Sequence, residues 1–295
     1  TGKAAACARL AVRAGVTDLP PTAETAGAAG DSCPGEPGRP PVVIFLDADV
    51  RLAPQAVAAA VAELRRSGAG LVAPWPWQRA CSPAEALMQP LLCWSWASTL
   101  PVRLGNRSRR ESTVVSCGQF LAFDTPAYRA IGGHAAVAGS PIEDMDIARA
   151  LRRAGWPTRV VAAGGLASTR MYRGTAELDE GYTRWLWSAY GGSGAAAAAI
   201  GLAAGLAYLL PPVAALCGRG PLRWTGAAGY AAAVVSRLAA RRLETGTAPR
   251  AADVGSALAH PVSVAAYQLL VIRSHRARRR GAVRWKGRAA VTTRS

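Results

Sequence analysis

Between Ser188 and Gly218 the chain runs for 31 residues without one charged side chain. A helix needs only about 20 apolar residues to cross roughly 30 Å of hydrocarbon, so this stretch predicts a transmembrane segment near residues 195–217. Pro211 and Pro212 should kink it or end it early. A second uncharged stretch, Val254–Ile272, lies between Arg250 and Arg273 and predicts a span at 254–272. Between the two, Trp224–Ser236 offers only 13 residues before Arg237. The region 224–243 therefore reads as a weak span or as an interfacial helix.

Charge sharpens this picture. Lys and Arg number 35 against 18 Asp and Glu, a net charge of +17, yet mean hydropathy is slightly above zero. That pairing suits a membrane protein whose basic residues flank lipid-buried segments, and 51% hydrophobic residues exclude a wholly disordered chain. Nine Arg and Lys follow Ile272 without an acid, so the tail 274–295 is expected in the cytoplasm. Two spans rather than three keep the N-terminal part on the same side. The expected location is the plasma membrane, multi-pass, with the folded N-terminal part facing the cytoplasm. No nucleic-acid partner is expected, because the basic tail abuts a lipid-spanning segment and lacks interleaved aromatics. The six cysteines form no C-x-x-C pair and no Cys/His cluster, which reads as reduced, mostly buried thiols. No charged-then-apolar leader precedes the first folded-looking segment, and the opening at Thr1 reads as that of a fragment.

Ahead of residue 190 the pattern is α/β. Residues 1–15 read as an Ala-rich helix ending at Gly15, and residues 17–41, with six Pro, as a surface loop or insertion. Val42–Leu46 is a continuous apolar run, as expected for a central parallel strand covered on both faces. Pro54–Arg66 reads as a helix closed by Gly68, and Gly70–Ala73 as the next strand. Residues 85–104 suit either an interfacial helix or a core helix with aromatic filling. Val114–Phe123 reads as a strand, Pro141–Ala154 as a helix before Gly155, and Arg159–Ala163 as a short strand.

Asp47 and Asp49 directly follow the first strand. Residues two apart on an extended segment project to one side, where two carboxylates suit a divalent cation bridging diphosphate oxygens; an Asp there also commonly serves a turn or cap. At Ile142–Asp146 the acids Glu143, Asp144 and Asp146 open a helix, where they complement its dipole or, for Asp144, act as a general base. Gly132-Gly133-His134 permits a tight turn in which His134 meets a substrate or caps the loop. Arg170-Met171-Tyr172-Arg173 and Tyr182–Trp187 supply arginines for phosphate and Trp faces for sugars, or interfacial anchors.

Taken in order, FLDAD, GQF, GGH, IEDMDIA, RMY, EGYTRW and RWKGR resemble the membrane-bound family 2 glycosyltransferases. Within them the set is most similar to the carotenoid glycosyltransferases of the diaponeurosporenoate and hydroxychlorobactene type. The resemblance implies an α/β, GT-A (Rossmann-like) domain over 1–190, then transmembrane helices over 191–273 and the basic tail. It implies inverting transfer of a sugar, glucose being expected, from a UDP-sugar to a carotenoid-like lipid hydroxyl or carboxyl, with a Mg or Mn ion. Asp47, Asp49, Lys3, Arg170, Arg184 and Trp185 would then face the donor, Asp49 holding the metal. Asp144, with Glu143 beside it, would activate the acceptor, and Gln119, Gly133, His134 and Tyr172 would line its site. Arg184 and Trp185 fall where the family's Gln-x-x-Arg-Trp motif lies, with Gly181 in place of Gln, which favours single transfer over polymer synthesis. Gly2-Lys3 resembles the family's W-x-GK segment, which normally follows two βα units that hold the uracil and part of the diphosphate; those units are absent here, so the donor pocket is expected to be incomplete. The alternatives are a hopanoid-associated or polyisoprenyl-phosphate glycosyltransferase, or a catalytically silent membrane protein.

Overall fold

The computed structural model describes residues 3–17, 41–99, 102–140, 142–282, 284–285 and 288–289. The loop expected at 17–41 lies almost wholly outside the described residues, as do Gly2 and the end of the basic tail. In chain order the elements are α1 (Lys3–Arg13), β1 (Val42–Leu46), β2 (Val50–Leu52), α2 (Ala56–Ser67), β3 (Leu71–Trp75), β4 (Trp77–Gln78), α3 (Pro83–Thr99) and α4 (Val102–Arg107). Then follow β5 (Phe120–Asp124), α5 (Thr125–Ala130), α6 (Glu143–Arg153), β6 (Thr158–Ala162), β7 (Ala167–Thr169) and α7 (Gly174–Trp185). The chain ends in α8 (Gly194–Ala204), α9 (Leu210–Cys217), α10 (Pro221–Thr245), α11 (Ala251–Leu258) and α12 (His260–Arg279). Contacts divide these into two units, residues 1–77 with 99–169, and residues 78–98 with 170–295.

The first unit is built on a four-stranded sheet in the order β1-β5-β3-β6, with β5 antiparallel to β1 and β3, and β6 parallel to β3. Phe123, Tyr128, Ile147 and Leu151 form a core on the face of α1 and α6, joined by Val43 and Phe45 of β1. Ala56, Ala60, Phe120 and Ala122 form a second core on the α2 face, joined by Ile44. β1 was expected at the centre of a parallel sheet; among the described residues it lies at an edge and pairs antiparallel. The apolar run is still accounted for, because hydropathy reports two covered faces and carries no information about strand edges. α2 ends as expected, Gly68 adopting the left-handed conformation (φ 60°) that caps a helix. The strand expected at 114–123 pairs only from Phe120, because the backbone at Gly118 turns to meet side chains of α1 and α6.

The second unit is helical. α3 is a core helix of this unit: Met88, Leu91, Cys93 and Trp94 are buried, Cys93 Sγ reaches Ala240 O at 3.2 Å, and Trp94 Nε1 donates to Ser236 Oγ at 2.9 Å. Among the described residues one unbroken helix is long and apolar enough to cross a membrane, Gly194–Cys217, and none of its most apolar stretch is buried. Pro211 and Pro212 do not end it; a π turn at Gly205–Leu209 takes up the hydrogen-bond register that the prolines disrupt. The stretch expected to span at 254–272 lies on two helices, α11 and α12, which together are long and apolar enough to cross a membrane and meet at 63°, as in a broken span or a re-entrant loop. Pro261 in the first turn of α12 explains the break, which a count of apolar residues does not register. α10 is one continuous helix of 25 residues in which Arg237, Arg241 and Glu244 are buried. Of the cysteines, Cys7, Cys81, Cys93, Cys117 and Cys217 are free, three of them buried.

Candidate active site

Three elements of the first unit and the Gly118 backbone ahead of β5 converge on one charge cluster. β1 delivers Asp47, whose backbone N–H donates to Gln119 O at 2.9 Å; Val50 N–H then returns to Asp47 O at 3.1 Å. Asp47 and Asp49 therefore sit in a turn rather than on an extended segment, yet their carboxylates remain close enough to repel. α1 delivers Lys3, whose Nζ lies 2.6 Å from Asp47 Oδ1 and 3.7 Å from Glu143 Oε1, and donates to Gly118 O at 2.7 Å. α6 delivers Glu143 and Asp144 in its first turn. Asp144 Oδ2 accepts the Gly118 N–H at 2.8 Å, and Oδ1 accepts the Met145 N–H at 2.9 Å.

These carboxylates are electrostatically unequal. Burial, and then the neighbouring Glu143 charge, push Asp144 up to about 6, against the opposing pull of the two N–H groups and Lys3. Burial also raises Asp47, with Asp49 adding and Lys3 opposing. Lys3 is held above its ordinary value because Asp47, Glu143 and Asp144 outweigh the burial that opposes its charge. A carboxylate poised near 6 beside a positive charge can take a proton near neutral pH.

A profile of the glycosyl transferase family group 2 matches residues 42–240, well over half of the chain. The chain belongs to this family. It is therefore a glycosyltransferase, family membership implies a nucleotide-sugar donor, and its mixed α/β sheet unit fits a GT-A domain. No curated protein and no solved structure matches the chain.

Divalent cations are common in this family. Among the described residues no three His, Cys, Asp or Glu side chains gather into a cage. The exposed Asp49 beside Asp47 nonetheless fits a Mg or Mn ion, which retains waters and is bound through one or two carboxylates together with substrate phosphates.

The other residues singled out in the sequence fall elsewhere. His134 is packed in the core: its ring lies 4.4 Å from Phe45, and Nδ1 lies 2.8 Å from the Tyr128 hydroxyl, which also accepts the His134 N–H at 3.1 Å. Burial lowers His134 to about 4, so it stays neutral. Gly133, at φ 57°, touches the Tyr128 ring where a Cβ would lie 2.5 Å from its carbons. Both therefore shape β1 from behind rather than facing an acceptor. Gln119 is buried, and its amide oxygen lies 3.5 Å from Cys117 Sγ. Arg170, Tyr172, Arg184 and Trp185 belong to the second unit. There Arg170 grips the buried Glu85 through Nη2 at 2.8 Å and Nε at 3.1 Å. Tyr172 is buried against Gly181, where any Cβ would collide with its ring. Sequence reasoning missed the backbone of Gly118, Tyr128 and Glu85. The glycine in GQF was the one local signal; Glu85 gave none, because its main partner is 85 residues away.

Proposed function

We propose that this glycosyltransferase moves a hexose, glucose being the expected sugar, from a UDP-sugar to an apolar lipid acceptor such as a carotenoid hydroxyl or carboxyl. The observation that carries the reading is Asp144: a half-buried carboxylate with its basicity raised, fixed by the Gly118 N–H and beside the Lys3–Asp47 pair. Asp144 accepts the acceptor's proton as its oxygen attacks the anomeric carbon in line, so the configuration inverts. Asp47 orients the donor, and Lys3, already placed among carboxylates, supplies positive charge where the diphosphate leaves. A divalent ion held by Asp49 and the diphosphate would neutralise charge on that leaving group. The exposed apolar helix Gly194–Cys217 and the arginines following Ile272 support a multi-pass membrane location with the sheet unit on the cytoplasmic side.

Membranes carrying the chain, incubated with labelled UDP-glucose, Mg or Mn and a pigmented lipid extract, test this directly. Label is expected in an apolar, glycosidase-sensitive product and absent with Asp144→Asn. Equal labelling by the variant would remove Asp144 as the base; no label with any nucleotide-hexose and lipid extract would sink the lipid-acceptor reading.

A further inference from the structure

Away from the carboxylate cluster, the helical unit buries three nitrogen donors that no acceptor meets. Gln89 of α3 is 1% exposed, Arg237 of α10 2%, and His260 at the start of α12 0%. Gln89 Nε2, Arg237 Nε and His260 Nε2 have no hydrogen-bond partner. The three form one neighbourhood. The Tyr182 hydroxyl donates to Gln89 Oε1 at 3.2 Å and lies within electrostatic reach of Arg237, whose Nη1 meets His260 Nδ1 at 3.4 Å. A guanidinium only donates, so Nδ1 accepts and the neutral imidazole carries its hydrogen on Nε2.

Arg237 Nη2 donates to Leu87 O at 2.7 Å, but among the described residues no carboxylate pairs with this guanidinium. Glu244 is within electrostatic reach and is bound instead by Arg241 Nη1 at 2.7 Å and the Gln78 N–H at 3.1 Å. Buried donors and buried charges are almost always paired, and an ionisable group among apolar helices marks a functional site with a partner to be named.

The backbone supplies a second observation. Tyr208 lies in the π turn Gly205–Leu209, with its ring 5.0 Å from Trp94 and 5.2 Å from His260. His260 itself follows the 63° break between α11 and α12. Two departures from α-helical geometry meet at these donors, and π turns concentrate at functional sites. The helix that carries Tyr208 presents Leu202, Leu206 and Leu210 outward.

We infer that Gln89, Arg237 and His260 form a binding site for the oxyanion of an apolar, membrane-dissolved ligand, a carboxylate or phosphate whose chain runs past Trp94 and Tyr208. Three donors, one of them on a guanidinium that no carboxylate bonds among the described residues, fit an oxyanion and repel a cation.

The purified chain in detergent, with no nucleotide sugar present, is titrated with a radiolabelled long-chain fatty acid, the matched alkyl phosphate, the matched alcohol, and inorganic phosphate as competitor. The acid or the alkyl phosphate should bind saturably at one site, at least about tenfold more tightly than the alcohol, and Arg237→Gln should weaken it about tenfold or more. The tighter of the two names the oxyanion. Because removal of a buried arginine can unfold a chain, Gln89→Met serves as the milder variant, with a several-fold loss expected at an unchanged helical circular-dichroism signal. Equal binding of the alcohol, displacement by inorganic phosphate at equal concentration, or wild-type affinity in Gln89→Met and in folded Arg237→Gln would each overturn the inference. Acid binding without any glycosyl transfer would sink the proposed function and leave this site standing.

Discussion

Asp144 and Glu85 are both acids in the first turn of a helix, where the dipole favours the ionised form, yet they are driven in opposite directions. Glu85 is held down at about 2: Arg170 bonds it twice, and the Cys81 and Gly174 N–H groups and the Ser82 hydroxyl complete its shell, outweighing burial. Asp144 has two N–H donors and an acidic neighbour, and rises to about 6. The helix dipole therefore decides neither case; the number of partners and the sign of the nearest charge do. A saturated carboxylate is a fastener, and a carboxylate left short of partners retains a use for a proton.

The largest way to test this contrast is on chemistry. Asp144→Asn should lower glycosyl transfer about 10²–10⁴-fold, the range of a lost general base, while Glu85→Gln in any chain that still folds should not approach that loss. In the wild type, transfer should decline about tenfold per pH unit below about 6 as Asp144 gains its proton. A rate that is flat from pH 7 to pH 5 would remove the distinction between the two acids.

On stability the ranking reverses. Glu85→Gln leaves the Arg170 charge without its counter-ion and gives the Cys81 and Gly174 N–H groups a weaker acceptor, so a clear loss of stability is expected. Glu85 is depressed from 4.5 to about 2, so its contribution is complete above pH 4.5 and is lost as pH falls toward 2. Thermal melts of the variant should therefore lie well below wild type at pH 7 and approach it near pH 2. Identical melts at pH 7 would show that the Glu85–Arg170 pair holds nothing together. A smaller effect is expected from Gly181→Ala. Ala gains about 1 kcal/mol inside a helix over Gly, but here its Cβ collides with the buried Tyr172 ring, and overpacking of this kind costs about 1–3 kcal/mol. A net drop in melting temperature is expected; a rise would mean that the ring moves aside freely.

The same contrast explains what was legible in the sequence. The strand before Asp47, the helices closed by Gly68 and Gly155, and the acid-rich start of α6 are local patterns, and each falls where periodicity and punctuation put it. The carboxylate cluster was legible as Asp47, Glu143, Asp144 and Lys3 because short motifs mark each of them. What joins them, the two faces of the Gly118 peptide, was not, since a backbone group leaves no residue-type signal. Glu85 was invisible for the complementary reason: its partners Arg170 and Gly174 are brought to it by tertiary structure alone. The edge position of β1 was misread because hydropathy counts apolar residues and is blind to pairing direction, and the bend before Pro261 leaves no mark in that count either.

The finest test returns to Asp144 and asks whether its usefulness has a thermodynamic cost. Its value of about 6 in the folded chain stands against 3.8 for an ordinary Asp, so between these values the folded chain holds more protons than the unfolded one. Stability contributed by this group must then fall as pH rises through that window, the opposite of the Glu85 case. Asn cannot ionise. Asp144→Asn should therefore melt with wild type below about pH 4 and above it beyond pH 6, by roughly 1–3 kcal/mol at about 1.4 kcal/mol per pKa unit. A gain that is the same at every pH would point to packing rather than charge. No gain at all would mean that the folded protein compensates Asp144 as fully as Glu85, and the argument that singles it out as the base would fail with it.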